Sequence, residues 1–214
     1  MFWTVTQNLL RGFGTTVLLF FVTLVCALPL GLLLAFCTMS KHKALAYPFK
    51  WIVWVVRGTP LMMQVLVIFY VPGLLFGVKP LERFTAVSVA FIVNYACYFS
   101  EIYRSGLQSV PRGQYEAGQA LGMTRADIFF RVILFQVVRR ITPPMGNEII
   151  TLVKDTSIAR VIMVQEILFV AFSDYVAKGI LWPLFYTGVF YLVFVGALTL
   201  LFGFLEKKMS YYKM

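Results

Sequence analysis

The polar chemistry of this chain is gathered into a few short patterns. Asn94, Tyr98 and Glu101 fall at i, i+4 and i+7, which places them on one face of a helix. Asn147, Thr151 and Lys154 repeat that spacing, and Glu148, Thr151 and Asp155 form an adjacent stripe. Carboxylates, amides and an ammonium along two helices can line a path for a polar solute or relay an ion. The structural alternative is that Lys154 pairs with Asp155 or Glu148, and that Asn147 bonds a neighbouring helix. What is missing also constrains the reading. Gly113 and Gly118 have the spacing of a phosphate-binding loop, but Gln119-Ala120 follows where that loop needs Lys and a hydroxyl residue. No metal-type histidine or cysteine pairing occurs, and the single histidine, His42, sits in a basic loop. There is no credible nucleophile and base pair. If the chain moves a solute against a gradient, the energy comes from elsewhere.

Two further segments carry local structural signals. In Arg57-Gly58-Thr59-Pro60, a proline inside a helical run removes a backbone bond and clashes with the preceding turn. The sequence predicts a break near Gly58 and a fresh helix from Pro60, with Thr59 as its N-cap and Pro60 at N1. Such a break is a hinge or gate, or simply the membrane-edge start of a span. In the second segment, residues 114–121 have helix-forming composition and Gly122 stands where a C′ glycine ends a helix. Thr124-Arg125-Ala126-Asp127 then has the form of a capping box. A short helix, a glycine turn and a new helix make a docking knob for a partner, or an ordinary capped connector. DNA binding fits poorly, because the unit is tethered to the bilayer and too small for a core of its own.

The elements that position these residues cross a membrane. Hydrophobic residues make up 60% of the 214 and charged residues 13%, against roughly 45–50% and 25% in soluble domains. No soluble globule of this size hides that much apolar surface. Cys26, Cys37 and Cys97 all fall inside apolar runs and read as packing residues. Uncharged runs at 12–40, 58–78, 84–100 and 179–205 are clear spans, and 141–153 is a weaker one. The expected spans are about 14–38, 52–76, 84–106, 138–158 and 181–205. Orientation follows the basic residues. With five spans, twelve lie inside: Lys41, Lys43, Lys50, six arginines between 104 and 140, and the tail with Lys207, Lys208 and Lys213. Four spans would put that tail outside. The N-terminus is therefore outside and the C-terminus inside. Residues 161–177, with Val164, Ile167, Leu168 and Ala171 beside Glu166 and Asp174, read as an amphipathic helix on the outer surface. Trp3, Trp51, Trp54 and Trp182 lie near span ends.

Glu116-Ala117-Gly118, then Gly122 and Ile133-Leu134, resembles the EAA loop of ABC importer permeases. The wider run 113–122 is similar to the polar amino-acid subfamily, as are Arg57-Gly58-Thr59-Pro60-Leu61, Glu101-Ile102-Tyr103-Arg104, Pro143-Pro144-Met145-Gly146-Asn147-Glu148 and Lys154-Asp155-Thr156-Ser157. The resemblance covers nearly the whole chain in order. Two departures stand out: Gly118 where Ala is usual, and Phe135 where Pro is usual. Gly118 is expected to loosen its helix by about 1 kcal/mol relative to Ala. The resemblance implies an all-α integral membrane fold of the type I importer class, in a bacterial cytoplasmic membrane. It implies two ATPase subunits that bind ATP and Mg, a second permease (identical or paralogous) and an extracytoplasmic binding protein. The chain itself would hold no cofactor or metal and no nucleic acid, and would contact lipid. Glu116, Ala117, Gly118, Leu121 and Gly122 would dock in the ATPase. An amino acid needs a cation for its carboxylate and an anion for its ammonium; Lys154 with Glu148, Asp155 or Glu101 could supply both. The rival reading is a self-sufficient secondary transporter or channel that uses Glu101, Glu148 and Lys154 as an ion relay.

Overall fold

The computed structural model describes residues 1–209, so Lys213 of the basic tail lies outside the described residues. The elements are α1 (Phe2–Thr38), α2 (Lys43–Arg57), α3 (Leu61–Phe76), α4 (Arg83–Gln108), α5 (Arg112–Ala120), α6 (Arg125–Asp127), α7 (Leu134–Asp155), α8 (Ile167–Asp174) and α9 (Trp182–Met209). A π turn, Ile128–Ile133, joins α6 to α7, and 3-10 turns occupy Thr156–Ile162 and Val176–Lys178. Among the described residues, three helices, α1, α4 and α9, are individually long and apolar enough to cross a membrane. The number rises to five if each of two bent pairs counts as one span.

α4 is the centre. Phe91, Tyr95 and Phe99 on its buried face meet Leu19 and Phe20 of α1 and Leu152 of α7 in one apolar cluster. α1 reaches it through a stripe of small residues. Thr16, Thr23, Ala27, Gly31 and Ala35 are buried at four-residue or seven-residue spacing. A Cβ added at Gly31 would lie 2.8 Å from the Phe99 Cβ and 2.9 Å from the Ala96 carbonyl oxygen. Only glycine permits that approach, and small residues are how membrane helices gain van der Waals contact without a hydrophobic driving force. Near its other end, Gly12 does the same against Ile167 of α8. α9 buries only Pro183 and Thr187, as a helix facing lipid would.

Several expected boundaries move. The first helix starts at Phe2 rather than near 14 and runs 37 residues. The second span, expected at 52–76, is two helices, α2 and α3, bent by 105° at Gly58–Pro60. The break is where the sequence put it, but its capping differs. Pro60 is the N-cap rather than N1. The Thr59 hydroxyl donates backward to the Val55 and Val56 carbonyls at 3.0 and 3.3 Å instead of capping α3. The weak fourth segment is a helix that continues through Pro143 and Pro144 and starts at Leu134.

The amphipathic surface helix expected at 161–177 is absent. A 3-10 turn ends at Met163, whose φ of 61° breaks the helical period, and α8 starts only at Ile167. Glu166, Ile167 and Ala171 are buried. The spacing Val164, Ile167, Leu168, Ala171 therefore begins outside α8, next to a left-handed residue, and does not describe one helix face. Glu166 does not face water. Its carboxylate caps α8, accepting from the Leu168 and Phe169 amides at 2.8 and 2.6 Å.

Candidate functional site

The knob, expected as a cytoplasmic coupling loop at 109–131, is built by local rules. α5 ends in a Schellman motif: the Met123 amide donates to the Gly118 carbonyl and the Gly122 amide to the Gln119 carbonyl. Gly122 takes the φ of +73° that this closure needs. Thr124 then caps α6, accepting from the Asp127 amide at 3.2 Å. The Thr124 hydroxyl, with Arg131 behind it, holds the Asp127 carboxyl below its ordinary range. Against expectation the knob has a core. Val110, Ile128, Ile133 and Val137 are buried together, with Met123, Phe129 and Ile141 packed on them. Gly118 is the one α5 residue buried in it. A Cβ there would lie 2.6 Å from the Ile128 Cγ1, so this glycine is a contact point and not merely a loss of helix propensity. Glu116 and Ala117 are exposed, and Leu121 is 81% exposed. A small rigid unit with a large aliphatic side chain presented at its tip is suited to a socket on another chain.

The polar residues of the spans divide into two groups. On α4, Asn94 is buried and its amide donates to the Gln64 carbonyl oxygen of α3 at 3.1 Å. Gln64 in turn donates to the Val56 carbonyl at 2.7 Å and to the Thr59 carbonyl and hydroxyl at 3.2 and 2.9 Å. Tyr98 lies beneath the Arg57 guanidinium, 5.1 Å from ring centroid to Cζ. Glu101 is held by Arg104 at 3.0 and 2.5 Å and by Arg57 at 3.6 Å. It is a structural clamp between helices as it stands, with its charge already neutralised. On α7, Asp155 accepts a 2.7 Å hydrogen bond from the Tyr95 hydroxyl, and Glu148 lies half-buried two turns earlier.

The structure does not bring Lys154 into that group. Lys154 and Asn147 are exposed, the Thr151 hydroxyl donates to its own helix at Asn147, and no ion pair joins Lys154 to Glu148 or Asp155 among the described residues. Lys154 instead lines a separate hollow of about 410 Å³ with Ser157, Leu168, Thr187 and Tyr191. Adjacent residues on a helix point about 100° apart, and here Lys154 turns toward that hollow while Asp155 turns toward Tyr95. Gln64 and Tyr95 were missed in the sequence. A lone amide in the apolar run 58–78 was the available signal for Gln64.

Residues 27–211 match the family described as "Binding-protein-dependent transport system inner membrane component". The chain belongs to that family. It is a permease, a transport component, and ATP hydrolysis in such systems belongs to a separate subunit. It is 40% identical over 167 residues to the L-cystine transport system permease protein TcyB of Bacillus subtilis (strain 168), covering 78% of this chain and 69% of that one. It is 33% identical over 207 residues to the arginine transport system permease protein ArtQ of the same organism, covering 94% and 92%. Among solved structures, an amino acid ABC transporter crystallised with histidines matches with a TM-score of 0.85 at 29% identity, covering 97% of this chain and 96% of that one. The MetNI methionine transporter matches at a TM-score of 0.71 and 19% identity, covering 98% and 97%, a likeness of fold. In this permease, the knob is exposed at Glu116, Ala117 and Leu121, and polar side chains of α3, α4 and α7 meet at Gln64–Asn94 and Tyr95–Asp155.

Proposed function

We propose that this permease imports polar amino acids across a bacterial cytoplasmic membrane, as one of two permease subunits driven by two ATPase subunits and supplied by an external binding protein. Five spans run with the N-terminus outside and the C-terminus inside: α1, α3 (with α2 bent away from it at the cytoplasmic edge), α4, α7 and α9. The observation that carries the reading is the knob. It is a pre-formed unit whose core continues into α7 through Val137 and Ile141, so a push at Glu116 and Leu121 reaches the spans without being absorbed by a flexible loop. The relatives named for L-cystine, arginine and glutamine transport support the solute class. ATP and Mg are held by the ATPase partners.

Closure of the ATPases displaces the two knobs and rocks the spans, alternating access to a seam near Asn94, Tyr98, Glu148 and Asp155. These carboxylates and hydroxyls face a solute ammonium. Arg57, already shared between Tyr98 and Glu101, supplies the cation that Lys154 does not. The break at Arg57, Gly58, Thr59 and Pro60 is the gate's hinge. A self-sufficient secondary transporter needs no knob and brings down no ATPase. The test is affinity purification of the chain with uptake and ATPase assays on Glu116→Lys and Gly122→Asp. Expected are loss of uptake and loss of the ATPase stimulation given by loaded binding protein, with the chain still in the membrane. Normal stimulation in both variants sinks the docking role.

A further inference from the structure

The bend at Gly58–Pro60 turns α2 by 105° from α3, so α2 cannot follow α3 through the bilayer. It starts at Lys43, five residues after α1 ends at Thr38, and ends at Arg57 on Glu101, near the knob end of α4. On the orientation proposed above, α2 therefore runs along the cytoplasmic boundary of the membrane. Its two faces are unlike. Ala46 and Val53 are buried. The face centred on Tyr47 carries Lys43, Tyr47, Lys50, Trp51 and Trp54, which fall within about 100° of the helical wheel. Tyr47, Trp51 and Trp54 are 63%, 64% and 71% exposed, and both lysines are exposed. Among the described residues, none of these five side chains makes a hydrogen bond, ion pair or ring contact, and Lys50 alone lies within the field of a carboxylate, that of Glu101, which Arg57 and Arg104 already occupy. Residues 39–57 hold Lys41, Lys43, Lys50 and Arg57 and no acidic residue at all.

We infer that this face of α2 is a docking surface for anionic phospholipid headgroups of the cytoplasmic leaflet. Indole and phenol rings settle at headgroup depth with their apolar bodies toward the acyl chains. Lysines interleaved with them meet phosphates, and the missing carboxylates remove any counterpart for a choline or ethanolamine cation. A segment of one charge sign selects an anionic headgroup over a zwitterionic one, each lysine by about fivefold. Arg57 ends the same helix and is clamped to Glu101. Lipid seated on α2 therefore holds the rear arm of the hinge against α4, and the hinge's freedom depends on the lipid composition of one leaflet.

The inference rests on the proposed orientation, and the experiment separates the two. The full permease, with whatever subunits purify with it, is placed in nanodiscs in a Trp3→Phe, Trp182→Phe background, and the signal of Trp51 and Trp54 is read as the difference from the same complex carrying Trp51→Phe and Trp54→Phe as well. Brominated phosphatidylglycerol and brominated phosphatidylcholine are each exchanged in as the minor lipid. Expected is quenching at a phosphatidylglycerol fraction at least tenfold lower than for phosphatidylcholine. Lys43→Gln with Lys50→Gln should shift the phosphatidylglycerol midpoint by about 25-fold and leave the phosphatidylcholine curve in place. Equal midpoints for the two lipids, or no shift in the double variant, overturn the headgroup site. Absence of quenching by either lipid also overturns it and assigns the face to a protein partner. A Lys43→Cys chain in sealed vesicles that reacts only from outside overturns the orientation and the leaflet together. Lipid preference in a chain that supports no uptake overturns the transport reading and leaves the lipid site standing.

Discussion

Gln64 is the residue whose removal tests the hinge most directly. In a continuous helix the Val56 carbonyl would accept from the amide of residue 60. That residue is Pro60, which has no N–H. The Gln64 side chain supplies the missing donor at 2.7 Å, bonds Thr59 with the same amide, and accepts from Asn94 at 3.1 Å. One side chain thus satisfies a break in the backbone and ties it to α4. Gln64→Leu roughly keeps the volume and removes all of this. The Val56 carbonyl keeps the Thr59 hydroxyl at 3.3 Å, so it is not wholly orphaned, but Asn94 and the Thr59 carbonyl lose this partner. Net hydrogen bonds are worth about 0.5–1.5 kcal/mol each, and interhelical ones in membranes average about 0.6 kcal/mol. The expected loss is about 2 kcal/mol, of which roughly 0.6–1.7 kcal/mol is the Gln64–Asn94 coupling. The assay is a double-mutant cycle of Gln64→Leu and Asn94→Leu by denaturant unfolding in detergent. Spin labels at Leu45 and Leu74, both exposed, read the bend, and their distance distribution should broaden in Gln64→Leu. Strict additivity of the two substitutions, or an unchanged distribution with a loss under about 0.5 kcal/mol, refutes the latch.

Three other outcomes follow from named contacts. Gly118→Val drives a side chain into Ile128, whose Cγ1 lies 2.6 Å from where the new Cβ would sit; overpacking of this kind costs about 1–3 kcal/mol, and Ile128→Ala in the same chain should restore part of the lost ATPase stimulation. Gly31→Val meets the Phe99 Cβ and the Ala96 backbone, which cannot rotate away, so membrane yield and thermal stability should fall more than for Gly14→Val, where the added Cβ meets nothing within 4 Å. Single cysteines at 43, 109 and 208 should react only from the cytoplasmic side and those at 82 and 174 only from outside; labelling of 208 from outside rejects the five-span topology.

The parts that were legible in the sequence are those set by a few consecutive residues. Gly122 ends α5 because a left-handed residue is needed within that one turn, and Thr124 caps α6 because its partner is three residues away. The Pro60 break is local for the same reason. The direction of the break was not legible, since it depends on Arg57 reaching Glu101 and Gln64 reaching Asn94, contacts 44 and 30 residues apart. Glu166 failed in the opposite sense. Its residue type made it look solvent-facing, whereas the amides of Leu168 and Phe169 give its carboxyl group a place inside the fold. Lys154 and Asp155 show where helical spacing stops being informative: each belongs to a polar stripe, but the stripes face different ways.

Glycine positions then say which parts of the permease move together. At Gly106 the Ile141 side chain fills the space a Cβ would take, and at Gly146 the Phe202 ring lies within 3.0 Å of that space. α4 is thereby locked to α7 beside the knob, and α7 to α9 further along. On the proposed coupling role, a load on the knob reaches α4, α7 and α9 as one body, because interfaces without slack transmit displacement instead of absorbing it. On the proposed mechanism, the relative motion of alternating access falls where the backbone is already broken. The join of α2 and α3 is such a place: beside the apolar packing of Val65, it is tied to α4 by two polar contacts, Arg57 to Glu101 and Gln64 to Asn94. Polar ties of this sort can be exchanged for solute or water contacts at small net cost, whereas an interlocked glycine and phenylalanine cannot. On the proposed mechanism, the hinge and the solute seam share residues for a physical reason: bonds that a passing ammonium or carboxylate can replace are bonds that can also hold a gate.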